Sequence, residues 1–198
     1  ALAGVTLLAS GVLAACSGSG SSAKGEKTFS YVYETDPDSL NYLTTGKAAV
    51  ANITSNVIDG LMENDRYGNF VPSLAEDWSV SKDGLTYTYT IRKDAKWYTS
   101  EGEEYAPVKA QDFVTGLKYA ADNKSEALYL VQESIKGLDA YVKGEVKDFS
   151  EVGIKAVDDQ TVQYTLNKPE SFWNSKVTTA TMLPVNEEFL KASGKDYG

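Results

Sequence analysis

The alternating run Thr86–Ile91 constrains the fold more than any other stretch of this chain. In it, threonines alternate with larger side chains, which are Tyr87, Tyr89 and Ile91. Period-two alternation of this kind predicts a β-strand with one buried face. The preceding Asp83-Gly84 pair is typical of a tight turn, so a hairpin is predicted from Val80 to Ile91. The aromatic face of this hairpin needs a second layer, which the apolar stripe of the following helix can supply.

Apolar residues at steps of three and four predict the helices. One helix is predicted from Ala48 to Leu61, and another has an apolar face formed by Phe113, Val114, Leu117, Ala120 and Ala121. A third is predicted to begin at Ser125, whose hydroxyl suits an N-cap, and a short one follows from Glu187. A second hairpin is predicted from Ile154 to Leu166. The Asp158-Asp159 pair fits its turn better than acid–base catalysis, because neighbouring strand residues point to opposite faces.

Charge and composition exclude several classes of function. The formal net charge of −9 argues against a nucleic acid partner, because no basic stripe is present to neutralise phosphates. The absence of histidine removes the usual general base and the commonest transition-metal ligand. An acidic loop contains Glu101, Glu103 and Glu104, which could bind a cation, but a solvated loop is the simpler interpretation. No cofactor and no metal are predicted.

The amino-terminal region has the features of a secreted lipoprotein. Residues 1–15 are uncharged and apolar, which fits the apolar part of a signal peptide whose front is clipped. The sequence ending at Cys16 is Leu-Ala-Ala-Cys and resembles a bacterial lipobox, in which this cysteine becomes lipidated; the alternative is a free buried thiol. Residues 16–27 are predicted to be a flexible Ser/Gly-rich tether, and a first strand is predicted from Thr28 to Tyr33.

Several separate motifs identify a family. They are Ala75-Glu76-Asp77-Trp78, the tyrosine-rich strand, Lys96-Trp97, the run from Ala106 to Phe113, and the run from Val157 to Val162. In this order they resemble the oligopeptide-binding proteins of ABC importers. With Cys16 and the tether, the chain resembles a Gram-positive oligopeptide-binding lipoprotein of the Ami/Ali type, and the resemblance covers the whole chain from Ala1 to Gly198.

The resemblance implies a mixed α/β fold of the periplasmic-binding-protein-like class. Such proteins have two lobes that close on an extended peptide and a small domain inserted in the first lobe. Residues 28–58 would then begin lobe one, residues 59–186 would form the inserted small domain, and residues 187–198 would return to lobe one. The second lobe is missing, so the chain is expected to be an amino-terminal fragment containing only part of the fold.

The same resemblance implies a peptide-binding site. In the family, a segment just before the first helix pairs with the peptide backbone, and the matching positions are Gly46, Lys47 and Ala48. A tyrosine that helps to hold the peptide amino end is matched by Tyr129. The alternatives are an ordinary loop leading into a helix and, for Tyr129, a partly buried packing residue. Four further residues that identify the family are expected in the small-domain core: Trp78, Trp97, Asp112 and Phe113.

One position departs from the family pattern. Many relatives have threonine where this chain has Lys109, and a lysine side chain cannot accept an N-cap hydrogen bond. Capping of this helix is therefore expected from another group, with Asp112 as the candidate.

The leading functional hypothesis is a non-catalytic receptor. It would be anchored through Cys16 at the extracellular face of the cell membrane, bind oligopeptides and deliver them to the permease subunits of an ABC importer. The runner-up is a surface adhesion or peptide-sensing module that uses the same fold without transport. A secreted hydrolase is less favoured, because no histidine, free mature thiol or recognisable motif supplies a nucleophile with its base.

The lipobox hypothesis predicts a change of location. Replacing Cys16 with Ala should release the full-length protein into the medium, because stable anchoring requires acyl chains that contribute about 0.8 kcal/mol per buried methylene. Fractionation of cells and medium measures this release, and retention of the Cys16→Ala protein at the membrane would refute the hypothesis.

Overall fold

A computed structural model describes Val32 and residues 35–198 of the chain. The predicted signal region, Cys16, the tether and the strand predicted from Thr28 to Tyr33, apart from Val32, lie outside the described residues. The helices are α1 (Ala48–Thr54), α2 (Ala110–Asp122), α3 (Tyr129–Gln132), α4 (Leu138–Val142), α5 (Trp173–Val177) and α6 (Glu187–Ser193). The strands are β1 (Met62–Asn64), β2 (Phe70–Pro72), β3 (Ala75–Val80), β4 (Thr86–Ile91), β5 (Lys96–Tyr98), β6 (Glu104–Pro107), β7 (Ile154–Ala156) and β8 (Thr161–Thr165).

The central sheet has four antiparallel strands in the order β3-β4-β8-β7. Both predicted hairpins are confirmed, and they lie side by side with β4 and β8 in the middle. Tyr87 stands opposite Tyr164, and Tyr89 stands opposite Val162. The first hairpin is longer than predicted, because its leading strand begins at Ala75 and not at Val80. Two further hairpins, β1-β2 and β5-β6, flank this sheet.

One face of β4 forms the main core. Tyr87, Tyr89 and Ile91 are 6%, 0% and 0% exposed, as the alternation predicted. They belong to one hydrophobic cluster with the buried face of α2 and with the fully buried Trp173 of α5. The apolar face predicted for α2 is confirmed, including Phe113 at 1% exposure. A buried aromatic side chain of this size contributes about 1.5 to 3 kcal/mol through removal of apolar surface from water.

The amino end of α2 is capped by Asp112. Its carboxylate accepts hydrogen bonds from the backbone N–H of Lys109 at 3.0 Å and from the indole N–H of Trp97 at 2.8 Å. The Lys109 side chain does not cap the helix, so the expectation that Asp112 provides the cap is confirmed. Burial raises the pKa of Asp112, against the lowering effect of these donors. Trp97 and Trp78 were both expected in the core. Each packs against it but is only partly buried.

The helix predicted from Ala48 to Leu61 is wrong beyond Thr54, where α1 ends. Val57 is 73% exposed, although the pattern placed it on the apolar face. Leu61 is buried, but its carbonyl accepts the N–H groups of Ser73 and Ala75 outside any helix. This pairing fixes Leu61 in a bend directly before β1, and a continuing helix could not form these hydrogen bonds.

The helix predicted to begin at Ser125 begins at Tyr129. Leu128 occupies the N-cap position and provides no side-chain cap, so the capping role assigned to Ser125 is wrong. The Ser125 hydroxyl instead accepts the N–H of Ala127 at 3.4 Å within a turn. The predicted apolar positions Leu128, Val131 and Ile135 are all buried, at 2%, 0% and 0% exposure. The short helix predicted from Glu187 is confirmed as α6.

The acidic loop near Glu104 carries no metal cage. Glu104 lies on β6, and its carboxylate forms an ion pair with Lys96 of the neighbouring strand. Among the described residues, no group of three or more acidic, histidine or cysteine side chains is placed to hold a metal ion.

In the same part of the chain, no helix has the length and apolar character needed to cross a membrane.

Helix α2 and the chain at Leu183 approach each other closely at Gly116. A Cβ atom on residue 116 would lie 2.4 Å from the carbonyl oxygen of Leu183. This separation is far below van der Waals contact, and the atom it meets belongs to the backbone. Only glycine allows the two segments to pack this closely.

Gly116→Ala is therefore expected to lower the free energy of unfolding by about 1 to 3 kcal/mol through overpacking. In an exposed helix the same change would stabilise the chain by about 1 kcal/mol, so the sign is informative. Thr115→Ala on the same helix is the control and should change stability by about 0.5 kcal/mol or less. Urea unfolding followed by tryptophan fluorescence measures both variants, and a Gly116→Ala chain as stable as the parent would contradict the close approach.

Candidate functional site

The segment before α1 rests on two buried side chains. Tyr42 and Leu43 are 8% and 0% exposed and form a second, smaller hydrophobic cluster with Leu183 and Val185. The Tyr42 hydroxyl donates a hydrogen bond to the carbonyl oxygen of Pro184 at 2.6 Å. The chain therefore arrives at the predicted peptide-binding positions from a fixed base.

A tight turn then leads into α1. The N–H groups of Thr44 and Thr45 both donate to the carbonyl oxygen of Asn41, at 3.2 and 3.3 Å. The N–H of Lys47 donates to the Thr45 hydroxyl at 3.2 Å. Gly46, Lys47 and Ala48 are all exposed. The structure thus places the three predicted peptide-binding residues together on the surface, at the start of a helix.

Glu126 holds this turn from the side. Its backbone N–H donates to the carbonyl oxygen of Thr44 at 2.9 Å, and its carboxylate accepts the N–H of Gly46 at 2.8 Å. The two contacts join the turn to the segment just before α3. Glu126 lies 80 residues after Gly46 in the sequence. Sequence reasoning missed Glu126, because no local pattern marks an acidic residue that acts at this separation.

Two backbone acceptors of the turn remain available. Within the described part of the chain, no donor is hydrogen-bonded to the carbonyl oxygens of Thr45 and Gly46. Exposed main-chain acceptors of this kind can pair with the N–H groups of an extended peptide, as in recognition by strand addition. Such contacts do not depend on the side chains of the ligand.

The charge of Lys47 is already partnered. Its ammonium group forms an ion pair with the carboxylate of Asp38. The hydrogen bond from Lys47 holds the pKa of Asp38 below its ordinary value, and the same bond raises the pKa of Lys47. Both side chains are more than half exposed, so solvent screens the pair.

Tyr129 lies on the surface as the first residue of α3. It is 74% exposed, and its side chain forms no hydrogen bond or ring contact with any described residue. The alternative of a partly buried packing residue is therefore wrong. Tyr129 follows Glu126 by three residues, so one short segment carries both Tyr129 and the residue that contacts Gly46. Cys16 lies outside the described residues.

A serine and a lysine lie close together in the interior, and their burial bears on the hydrolase hypothesis. The Ser134 hydroxyl is 2.6 Å from the Lys176 ammonium group and 3.0 Å from the Glu170 carboxylate. Ser134 is 3% exposed and Glu170 is 4% exposed, so a substrate bond has no access to the hydroxyl oxygen. The three groups satisfy one another as a buried polar network between α5 and the segment after α3.

An apolar concavity lies apart from the predicted binding residues. It has a volume of 560 Å³, and the side chains around it include Leu40, Trp97, Tyr98, Tyr105, Phe189 and Tyr197. Gly46, Lys47, Ala48 and Tyr129 do not line it. The exposed turn and this concavity are therefore separate features of the surface.

Comparison with known proteins identifies the family to which this chain belongs. A profile of bacterial extracellular solute-binding proteins, family 5 Middle, matches residues 69–197. The chain therefore belongs to family 5 of the bacterial extracellular solute-binding proteins. The resemblance inferred from the motifs is confirmed.

Particular relatives are similar over the whole chain. The chain is 85% identical over 197 residues to the oligopeptide-binding protein AliA of Streptococcus pneumoniae, and the match covers 100% of this chain and 30% of AliA. It is 70% identical over 203 residues to the oligopeptide-binding protein SarA of Streptococcus gordonii, covering 100% of this chain and 31% of SarA. The chain thus spans about 30% of the length of these relatives.

Solved structures support the fold assignment. The substrate-binding domain of an oligopeptide ABC transporter from Bacillus anthracis matches with a TM-score of 0.73 and 32% identity, over 80% of this chain and 30% of that one. OppA of Listeria monocytogenes bound to peptide matches with a TM-score of 0.71 and 34% identity, over the same shares of the two chains. The mixed α/β, periplasmic-binding-protein-like fold predicted from the sequence is confirmed, and the chain contains part of it.

Replacing Lys47 with Gln should raise the pKa of Asp38 toward its ordinary value of 3.8, because the ammonium partner is lost. In the parent chain the pKa of Asp38 is lowered on folding. The stabilisation from the pair is therefore present above the unfolded-state pKa and disappears as the pH falls through the folded-state pKa. NMR titration of the Asp38 carboxyl group measures the shift. Lys136→Gln removes a lysine that forms no ion pair with a described residue, and an equal response in both variants would contradict the assignment.

Proposed function

We propose that this chain is part of a lipid-anchored receptor that binds oligopeptides outside the cell and delivers them to an ABC importer. The observation that carries the proposal is the exposed turn at Gly46, where no described donor is hydrogen-bonded to the carbonyl groups of Thr45 and Gly46. Membership of the solute-binding family supports it, as does the similarity to proteins named for oligopeptide binding. The protein binds its ligand without transforming it and is not an enzyme.

In this proposal the residues have separate roles. Gly46, Lys47 and Ala48 contact the peptide backbone, and the exposed Tyr129 contacts its amino end. Cys16 carries the lipid that retains the receptor at the extracellular face of a Gram-positive cell membrane. The partners are oligopeptides, the membrane and the permease subunits of the importer.

We also propose the domain organisation that the family resemblance implies. Residues 28–58 begin lobe one, residues 59–186 form the inserted small domain, and residues 187–198 return to lobe one. Packing of Leu190 and Tyr197 against the hydrophobic cluster that contains Tyr42 and Leu43 supports this division, because it brings residues of both proposed lobe-one segments together.

Transport predicts a phenotype for the cell. Deletion of the gene should reduce uptake of labelled oligopeptides, and the parent gene should restore it. A gene encoding Gly46→Pro should restore uptake poorly, because proline removes the N–H that bonds Glu126 and restricts the residue before it. Uptake of a labelled free amino acid is the control. Unchanged oligopeptide uptake after deletion would refute the transport role and would favour a sensing or adhesion module on the same fold.

A further inference from the structure

We propose that Glu126 is a positioning residue for peptide binding, because it fixes the backbone of the turn from Thr44 to Gly46 in the conformation that presents its available carbonyl groups. This inference rests on the proposed function. The inference adds a requirement to the proposed site. The turn must be held by a residue of the neighbouring segment before a peptide binds.

Glu126 contacts two backbone groups of the turn, which belong to Thr44 and Gly46. The backbone N–H of Glu126 donates to the Thr44 carbonyl at 2.9 Å, and its carboxylate accepts from the Gly46 N–H at 2.8 Å. A neighbouring β-strand offers the same alternation of donor and acceptor. Glu126 thus satisfies the Thr44 carbonyl and the Gly46 N–H, and no described donor is hydrogen-bonded to the carbonyl groups of Thr45 and Gly46.

Steric restriction does not fix Gly46. Its φ lies outside the left-handed region, and a Cβ atom on this residue would make only ordinary contacts, at 3.6 Å from the Cβ and Oε2 atoms of Glu126. A glycine in open space has many accessible backbone conformations. The hydrogen bond to the carboxylate is the contact made by the Gly46 N–H itself, and it adds to the bond from the Lys47 N–H to the Thr45 hydroxyl in selecting one of them.

The carboxylate contact is stronger than a neutral one would be. A backbone N–H bound to an ionised acceptor forms a shorter and stronger hydrogen bond than a neutral pair. Glu126 is exposed, so water can replace this contact when the side chain is removed. The freed turn would then have to be ordered by the peptide itself, and that ordering reduces the affinity.

The experiment compares three variants of the full-length protein. Glu126→Ala removes the carboxylate contact, and Glu126→Gln keeps an acceptor without the charge. Glu133→Ala is the matched control, because it removes another exposed acidic side chain near α3 that forms no ion pair with a described residue. Each protein is equilibrated with a randomised pool of short peptides, and the bound peptides are quantified by mass spectrometry. Hydrogen–deuterium exchange is followed over residues 44–48.

Glu126→Ala should weaken binding about tenfold for neutral and basic peptides alike, and should speed exchange over residues 44–48. Glu126→Gln should stay within about threefold of the parent, since its amide oxygen can accept the Gly46 N–H. Glu133→Ala should match the parent in both measurements.

Three results would overturn the inference. Parent-like or tighter binding by Glu126→Ala would mean that the turn needs no support from Glu126. A loss confined to basic peptides in both Glu126 variants would make Glu126 a direct ligand of the peptide. Unchanged exchange would show that Glu126 does not fix the turn. If the parent protein itself retained no peptide, the proposed function would fail instead, and the exchange measurement would still report on the turn.

Discussion

The close passage of the chain at Leu183–Val185 between α2 and Tyr42 links the main core to the candidate site. On one side, Gly116 allows the Leu183 carbonyl to lie against α2, and the Val185 N–H donates to the Asp112 carbonyl at 3.1 Å. On the other side, the Pro184 carbonyl accepts the Tyr42 hydroxyl at 2.6 Å. The base of the exposed turn is therefore attached to α2, which also packs against the central sheet through β7 and β8. The turn is also held from the side by Glu126, and its base by the hydrogen bond from the Asn41 amide to the Tyr119 hydroxyl.

This arrangement suits a receptor for ligands of varied sequence. Side-chain pockets select particular residues, whereas main-chain hydrogen bonds are common to all peptides. The charge of Lys47 is matched by Asp38, so the turn does not present an uncompensated cation to the ligand. The acceptors without a described donor are the neutral carbonyl groups of Thr45 and Gly46. In the proposed function, a fixed base and main-chain carbonyl groups would favour affinity that depends little on the side chains of the ligand.

The sequence predicted the elements that are decided by short-range patterns. The hairpins and α2 follow from alternation, turn residues and a helical apolar stripe, and each buries the face that its pattern indicates. The errors occurred where distant partners compete. Leu61 fits the helical spacing, yet its carbonyl is taken by Ser73 and Ala75, and the chain beyond Thr54 leaves the helix. The location of the exposed turn came from family resemblance, but its support by Glu126 depends on a contact across 80 residues that periodicity cannot reveal.

The aromatic residues of the main core serve a different purpose from the turn. The rings of Tyr164 and Trp173 lie 5.5 Å apart, and those of Tyr89 and Tyr164 lie 6.0 Å apart in an edge-to-face arrangement. All three side chains are fully buried, so none can touch a ligand without unfolding of the core. Their conspicuous sequence pattern follows from the need to fill a sheet face with large side chains. A site built on main-chain groups would place few demands on side-chain identity, so the turn proposed to bind peptides is the less conspicuous part of this sequence.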